Sequence, residues 1–334
     1  MKYSLAKIAE ELGVSKATVS LVLNGKAHQA RISEELETRI KEFCGKINYV
    51  PNIHAQRINS RFAKNFGFLL NQGTRVDDDN PFGDYNVSTI LGGAVLAAER
   101  IGCRISVQLY NKGMDETPVF NWLRNNEIDG IIYYGLDIPE EWKETFAKEK
   151  RCIVGIGVAP DKNISSVNTD NFKISHELGE YLIKSGRRNF LYLSGMGFVS
   201  NERKGGFLAA CGEHGIELSE ENIIAADFSE TAAENVIFDR DMTGIDAIVC
   251  ANDDMAIGAM KALKRRGISV PNEISVSGGD NILIGQYFSP SLTTFNNHQH
   301  ELGEAAVECM ARMLRDGAAE NAVIPSELII REST

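Results

Sequence analysis

The chain has 334 residues, 46 acidic against 35 basic side chains for a net charge of −11, and 43% hydrophobic content. No run of about eighteen apolar residues is available to span a bilayer, and Lys2 leads into an amphipathic helix rather than a signal peptide, so a cytoplasmic location is expected. The six cysteines, at 44, 103, 152, 211, 250 and 309, lack paired metal spacing and read as free thiols in a reducing compartment.

In Leu5-Ala-Lys-Ile-Ala-Glu-Glu-Leu12 the apolar residues Leu5, Ile8, Ala9 and Leu12 recur at i, i+3, i+4 and i+7, which predicts an amphipathic helix capped by Ser4 and stopped by Gly13. Ser15 can cap a second helix with a buried stripe of Val19, Val22 and Leu23, ending at Asn24-Gly25. Two short helices across a tight glycine turn fit an ordinary helical hairpin, and they also fit a helix-turn-helix. In the latter, the second helix places Lys16, Ala17, Thr18 and Ser20 toward a major groove.

Charge favours the second reading. Residues 1–64 hold eleven Lys or Arg against six Glu, a net of +5, which leaves −16 of the chain's −11 for residues 65–334. A polyanion is attracted by the head and repelled by the body, with a salt-dependent affinity. A third helix should start at Ser33, favoured by Glu34 and Glu35, and bury Leu36, Ile40 and Phe43. In Tyr49-Val50-Pro51-Asn52 the proline keeps Val50 extended, and Asn52 can cap a short helix from Ile53 to Asn59. About two turns are unstable alone in water, so this segment needs a partner or is a plain linker.

The segments Leu5 to Asn24 and Asn48-Tyr-Val-Pro-Asn52 resemble the head and hinge of lactose- and galactose-repressor (LacI/GalR) type transcription regulators, and the likeness runs along nearly the whole chain. The resemblance implies a homodimer on a near-palindromic operator, with paired hinge helices wedging an apolar side chain into the minor groove. That wedge falls on Ile58, where leucine is usual, and the major-groove readers on Lys16 and Ala17. The implied DNA-facing set is Ser4, Ser15, Lys16, Ala17, Thr18, Ser20 and Asn24 on the head, with Asn52, Ala55, Arg57 and Ile58 on the hinge. Two features depart from the pattern: Leu21 stands where arginine is frequent, and Lys26 to Ile32 makes a longer connection.

Beyond the hinge, short apolar runs at Phe66 to Leu70, Arg104 to Leu109, Gly130 to Tyr134, Cys152 to Ile156, Phe190 to Leu193, Ala247 to Cys250 and Ile274 to Ser277 alternate with amphipathic helices such as Thr89 to Arg100, Phe172 to Lys184 and Met255 to Arg266. Strict alternation predicts parallel sheets with ligands at the carboxyl ends of the strands. The resemblance sharpens this to an α/β body like the periplasmic sugar-binding proteins: two doubly wound parallel-sheet lobes behind an all-α head and hinge helix, with crossings near Thr169, Phe295 and Pro325. The expected divisions are residues 1–50 for the head, 51–61 for the hinge, 62–169 with 296–325 for the first lobe, and 170–295 with 326–334 for the second.

The same resemblance proposes a cleft for a small effector, a sugar or sugar derivative. Arg203, in Ser200-Asn-Glu-Arg-Lys-Gly-Gly-Phe207, matches an arginine that opens a helix, and its planar fork can grip two hydroxyls or a carboxylate. Cys250-Ala-Asn-Asp-Asp-Met255 supplies Asn252 as a ligand contact, with Asp253 as the cap of the next helix. Ser277-Gly-Gly-Asp-Asn281 keeps the carboxylate, Asp280, but has Gly279 where an aromatic is usual, opening the wall beside it. Phe228, Phe82, Asp84 and Gln299 complete the set, with Gly83 again replacing an aromatic. Each has a local alternative: Asp280 can cap a turn, Phe228 can be core, and Arg203 can pair with Glu202 or another acid.

An enzyme is not expected, nor a cofactor. No dinucleotide, Walker, Gly-x-Ser-x-Gly or His-Glu-x-x-His motif occurs, the His residues are scattered, and Gly195-Met-Gly197 reads as a loop. No leucine heptads follow Pro325 to Ser333, which leaves a dimer as the default. The reading is therefore a helix-turn-helix repressor under allosteric control by a ligand. Its rival is a cytoplasmic sugar-binding or sugar-modifying protein whose helical head contacts protein.

Overall fold

A computed structural model describes residues 3–23, 25–49, 63–71, 80–110, 117–135, 138–317 and 320–334. The chain divides into two compact units, Met1–Ala63 and Lys64–Thr334.

The first unit holds helices α1 (Leu5–Leu12), α2 (Lys16–Leu23) and α3 (Glu34–Lys46). Ser4, Ser15 and Ser33 each accept a hydrogen bond from the backbone N–H three residues on, so each helix starts where the capping residues place it. Gly13 closes α1 at φ 65°, a left-handed conformation that glycine adopts without a Cβ penalty. Ile8, Ala9, Val19, Val22, Ala27, Ile40 and Cys44 form the core, with Leu5, Leu12, Leu23, Leu36 and Phe43 packed around it. Leu36 and Phe43, expected inside, are thus only partly buried. The long connection after α2 is anchored by buried Ala27 and by a hydrogen bond from the Ile32 N–H to the Ala27 carbonyl.

In the second unit, a six-stranded sheet forms from β1 (Asn65–Asn71), β2 (Arg104–Tyr110), β3 (Gly130–Tyr134), β4 (Cys152–Ile156), β5 (Ser165–Thr169) and β11 (Ala322–Ile324). All its pairings are parallel, in the order β11-β5-β4-β3-β1-β2. Side chains alternate faces along each strand. Phe66, Phe68 and Ile132 pack beneath α4 (Tyr85–Arg100) and α11 (Gln299–Asp316). Leu69, Ile131, Tyr133 and Ile153 pack against α5 (Thr117–Arg124) and α6 (Glu140–Lys148). Helices α4 and α11 approach closely enough that a Cβ on Gly303 would lie 1.9 Å from the Ile90 carbonyl oxygen, and one on Gly93 2.0 Å from that of His300.

A second parallel sheet, β7-β6-β8-β9, comprises β6 (Phe190–Ser194), β7 (Ile223–Ala225), β8 (Ala247–Cys250) and β9 (Ser275–Ser277). Its helices pair as α7 (Asn171–Lys184) with α8 (Gly197–Glu213) and α9 (Glu230–Asp239) with α10 (Asp253–Arg265). Two doubly wound parallel lobes are therefore present: the alternation of strand and helix predicted the parallel sheets, and the resemblance their division into two lobes. The chain passes from the first to the second between β5 and α7. It returns through β10 (Thr294–Asn296), whose antiparallel partner β12 (Glu327–Ile329) carries the chain back once more.

Three local expectations are corrected. Helix α8 starts at Gly197, so Gly195-Met-Gly197 is only partly a loop, and Arg203 sits inside the helix on its buried face with Ser200 and Phe207 rather than opening it. The cap of α10 is Asn252, whose side chain accepts from the Met255 N–H, while Asp253 is the first helical residue. The wall beside Gly279 is not open: a Cβ there would lie 2.3 Å from the Phe295 ring, which already fills the space.

Candidate functional site

On the head, Ser4, Ser15, Lys16 and Ala17 are exposed along the start of α1 and the first turn of α2, and Thr18 and Ser20 are half-buried beside them. The Ser15 and Thr18 hydroxyls lie 2.8 Å apart, which fixes the first turn of α2 from which Lys16 and Ala17 project. Arg39 of α3 donates to the Leu12 carbonyl at 2.5 Å and ties α3 to the end of α1. This exposed, basic helix start is what a major-groove reader needs. Asn24, Asn52, Ala55, Arg57 and Ile58, and with them the hinge helix, lie outside the described residues.

In the body, buried and half-buried polar groups from both lobes and the crossing segment converge on Asp280. One carboxylate oxygen accepts from Arg203 Nη2 and from Asn297 Nδ2, both at 2.7 Å, and the other accepts from Asn86 Nδ2 at 2.9 Å. Gln299 Nε2 donates to the Asp280 carbonyl at 2.7 Å and to Asn86 Oδ1 at 3.0 Å. Arg203 and Asp280 side chains are each only 6% exposed, so their ion pair is buried. The rest of the Arg203 fork is also occupied: Nε donates to Asn171 Oδ1 at 2.9 Å, Nη1 to the Ala251 carbonyl at 2.5 Å, and the guanidinium lies over the Phe295 ring at 5.0 Å.

The backbone supports this centre. Asp280 has φ 103° and Asn281 φ 51°, left-handed conformations costly for non-glycine residues unless the surroundings enforce them. Enforcement comes from the Asp280 N–H bonded to the Phe295 carbonyl and from the Asn281 N–H bonded to Thr294 Oγ1. Thr294 Oγ1 in turn donates to Asp253 at 2.6 Å, and the other Asp253 oxygen accepts from the Ile282 N–H at 2.8 Å. Burial, more than any neighbouring charge, pushes the Asp253 carboxyl well above the usual carboxylate range. Tyr134 lies near enough to Asp84 and Asp280 to respond to both. Burial first, and those two carboxylates next, push its phenol up.

This cluster contains a carboxylate that accepts, a guanidinium that donates and carboxamides that do both. Such a set matches the vicinal hydroxyls of a polyol, supplied half from each lobe. Residues 4–52 match the family described as bacterial regulatory proteins, lacI family, and residues 180–334 a periplasmic binding protein-like domain. The head is therefore of the lacI family of bacterial regulatory proteins, and residues 180–334 are of the periplasmic-binding-protein type.

Full-length relatives agree with that assignment. The chain is 28% identical to the HTH-type transcriptional repressor PurR of Vibrio parahaemolyticus, covering 99% of this chain and 98% of that one. It is 28% identical to the HTH-type transcriptional regulator MalR of Clostridium butyricum, again over 99% and 98%. In fold it is similar to the lac repressor dimer bound to operator and an anti-inducer (TM-score 0.86, 22% identity, covering 100% and 99%) and to the CelR–cellobiose complex (TM-score 0.75, 21% identity, 100% of each). With a lacI-type head and full-length relatives of this kind, the chain is a helix-turn-helix, DNA-binding regulator of transcription. Among its described residues no helix is long and apolar enough to cross a membrane.

Of the cleft residues read from sequence, Arg203, Asp280 and Gln299 meet directly. Asn252 is buried nearby in sequence to Ala251, but its oxygen caps α10. Asp84 caps α4, accepting from the Asn86 and Val87 N–H groups, and so orients the turn that presents Asn86. Phe82 is 45% exposed on a short turn (Pro81–Gly83), and Phe228 packs on the second lobe's core over Gly195. Asn86, Asn171, Asn297 and Tyr134 were missed. Asn86 and Asn297 lie two positions from Asp84 and Gln299, a spacing that could have flagged them. An open surface cavity is lined instead by Asp170, Lys173, Glu177, Val323, Pro325 and Ser326, beside a crossing.

Proposed function

We propose that this regulator is a homodimeric repressor whose hold on a near-palindromic operator is set by a small polyhydroxyl ligand, a sugar or sugar derivative, bound between the lobes. The observation that carries the reading is the meeting of Arg203 from the second lobe with Asn86 from the first on one buried carboxylate, Asp280, whose backbone carbonyl also accepts from Gln299. A ligand whose hydroxyls replace these bonds changes how the lobes are joined and binds one arrangement better than another. A ligand can shift an equilibrium only by such differential binding. The fold shared with the CelR–cellobiose complex supports the ligand class, and that shared with the operator-bound lac repressor dimer supports the assembly.

In this scheme the major-groove contacts come from Lys16 and Ala17, and Ile58 of residues 51–61 wedges the minor groove. Residues 62–169 with 296–325 and residues 170–295 with 326–334 form the two lobes that transmit the ligand's effect. A ligand preferring the DNA-competent arrangement acts as corepressor and one preferring the other acts as inducer, with reciprocal coupling in either case. The test is a thermal-shift screen of the full chain against sugars, sugar phosphates and nucleobases. A sugar that raises the melting midpoint of the parent and not of Asp280→Asn supports the reading. A ligand that stabilises both equally places its site elsewhere.

A further inference from the structure

The His residues are scattered in sequence, yet folding gathers two of them with two carboxylates on the outer edge of the α7–α8 pair. His176 and Glu180, one turn apart on α7, and Glu213 at the end of α8 place ligand-competent atoms all within 4.8 Å of one another. His176 Nε2 is 3.1 Å from Glu213. His214, the residue after α8, lies 2.5 Å from Glu180, which also holds Lys184 at 2.7 Å.

We propose that His176, Glu180 and Glu213 bind a divalent transition metal ion of the zinc class, with His214 orienting Glu180. Imidazole and carboxylate are the donors such ions take, at about 2.0–2.2 Å. Three atoms already within 4.8 Å reach those distances by rotations of surface side chains that move each by about 1 Å. A dication would be attracted by both carboxylates, in competition with Lys184 on Glu180. A hydrogen-bonded partner on a ligating carboxylate is the usual outer support of a metal site.

The backbone beneath is already set. A Cβ on Gly179 would lie 2.8 Å from that of Ala210, and one on Gly206 2.0 Å from the Phe172 carbonyl oxygen, so α7 and α8 are in close contact between the two halves of the site. These are the helices that hold the Arg203–Asn171 bond, and Glu213 stands about 15 Å along α8 from Arg203. The ion would fasten the pair at its solvent edge, outside the cleft and independently of any ligand there.

The experiment titrates Zn²⁺ and Co²⁺ into the full chain with its cysteines reduced, reading heat, melting midpoint and the cobalt absorption spectrum. The expected result is one equivalent bound, a midpoint that rises with metal concentration, and a spectrum without thiolate charge-transfer absorption. Glu213→Gln and His176→Gln, both changes at the surface, should each weaken binding about 100-fold, and His214→Gln about 10-fold. Absence of binding, a thiolate spectrum, or unchanged affinity in both Glu213→Gln and His176→Gln overturns the assignment.

Discussion

Replacing Arg203 by methionine keeps most of the side chain's volume and removes its charge. The Asp280 carboxylate, 6% exposed, then keeps the Asn297 and Asn86 donors but loses its cation. Removing one partner of a buried ion pair costs about 3–5 kcal/mol, because the remaining charge is left in a poorly polarisable interior. The lost bonds to Asn171 and the Ala251 carbonyl add to this rather than offset it. For a body of this size the loss lowers the melting midpoint by about 6–20 °C. Urea unfolding followed by circular dichroism supplies the free energy. Arg203→Met/Asp280→Asn, which leaves no stranded charge, should recover about half of the loss or more. Arg203→Met within about 0.5 kcal/mol of the parent, or a double variant as unstable as the sum of the singles, would show that the two side chains are not a closed pair, and the reasoning fails.

Asp253 offers a pH test. Its folded pKa is raised by burial, so its contribution to stability is complete below the unfolded value near 3.9 and is lost as pH rises through the folded value. The parent should therefore lose stability relative to Asp253→Asn as pH rises above the unfolded value, read as urea midpoints; parallel curves for the two proteins count against the buried carboxyl. Gly303→Ala sets a helix-propensity gain of about 1 kcal/mol against a Cβ 1.9 Å from a backbone oxygen. The clash should win, with a net loss of about 1–3 kcal/mol by calorimetry, and a stabilised variant would mean that α4 and α11 are not in contact. On the proposed wedge, Ile58→Gly should lose high-affinity operator binding in an anisotropy titration while ligand binding is kept; undiminished operator affinity removes Ile58 from that role.

Secondary structure was legible where one periodicity operated alone. β3, β4 and β8 end where their apolar runs end, and Ser4, Ser15 and Ser33 start their helices because a side-chain oxygen there satisfies an otherwise orphaned N–H. The first turn of α8 was not legible, since Gly197-Phe-Val-Ser-Asn is weakly patterned and its start depends on tertiary packing. In the cleft, motif resemblance could name Arg203 and Asp280 but not Asn86, which lies 194 residues from Asp280 in the chain and meets it only across the lobes. Gly279 misled for a related reason: losing a side chain opens a pocket only if nothing distant fills the space, and here Phe295 fills it. Asn252 took the cap expected of Asp253 because either can cap a helix, and the crossing strand's Thr294 engages Asp253 instead.

Coupling between the cleft and DNA is tested most directly by measuring the affinity of the full chain for a duplex selected from random sequence, by anisotropy at fixed salt, with and without the sugar found in the thermal-shift screen. Control by the Asp280 cluster requires that the sugar change the parent's affinity at least about fivefold in one direction and leave that of Asp280→Asn unmoved. A sugar that binds the parent and leaves its DNA affinity unchanged, or that shifts the affinity of Asp280→Asn equally, contradicts it.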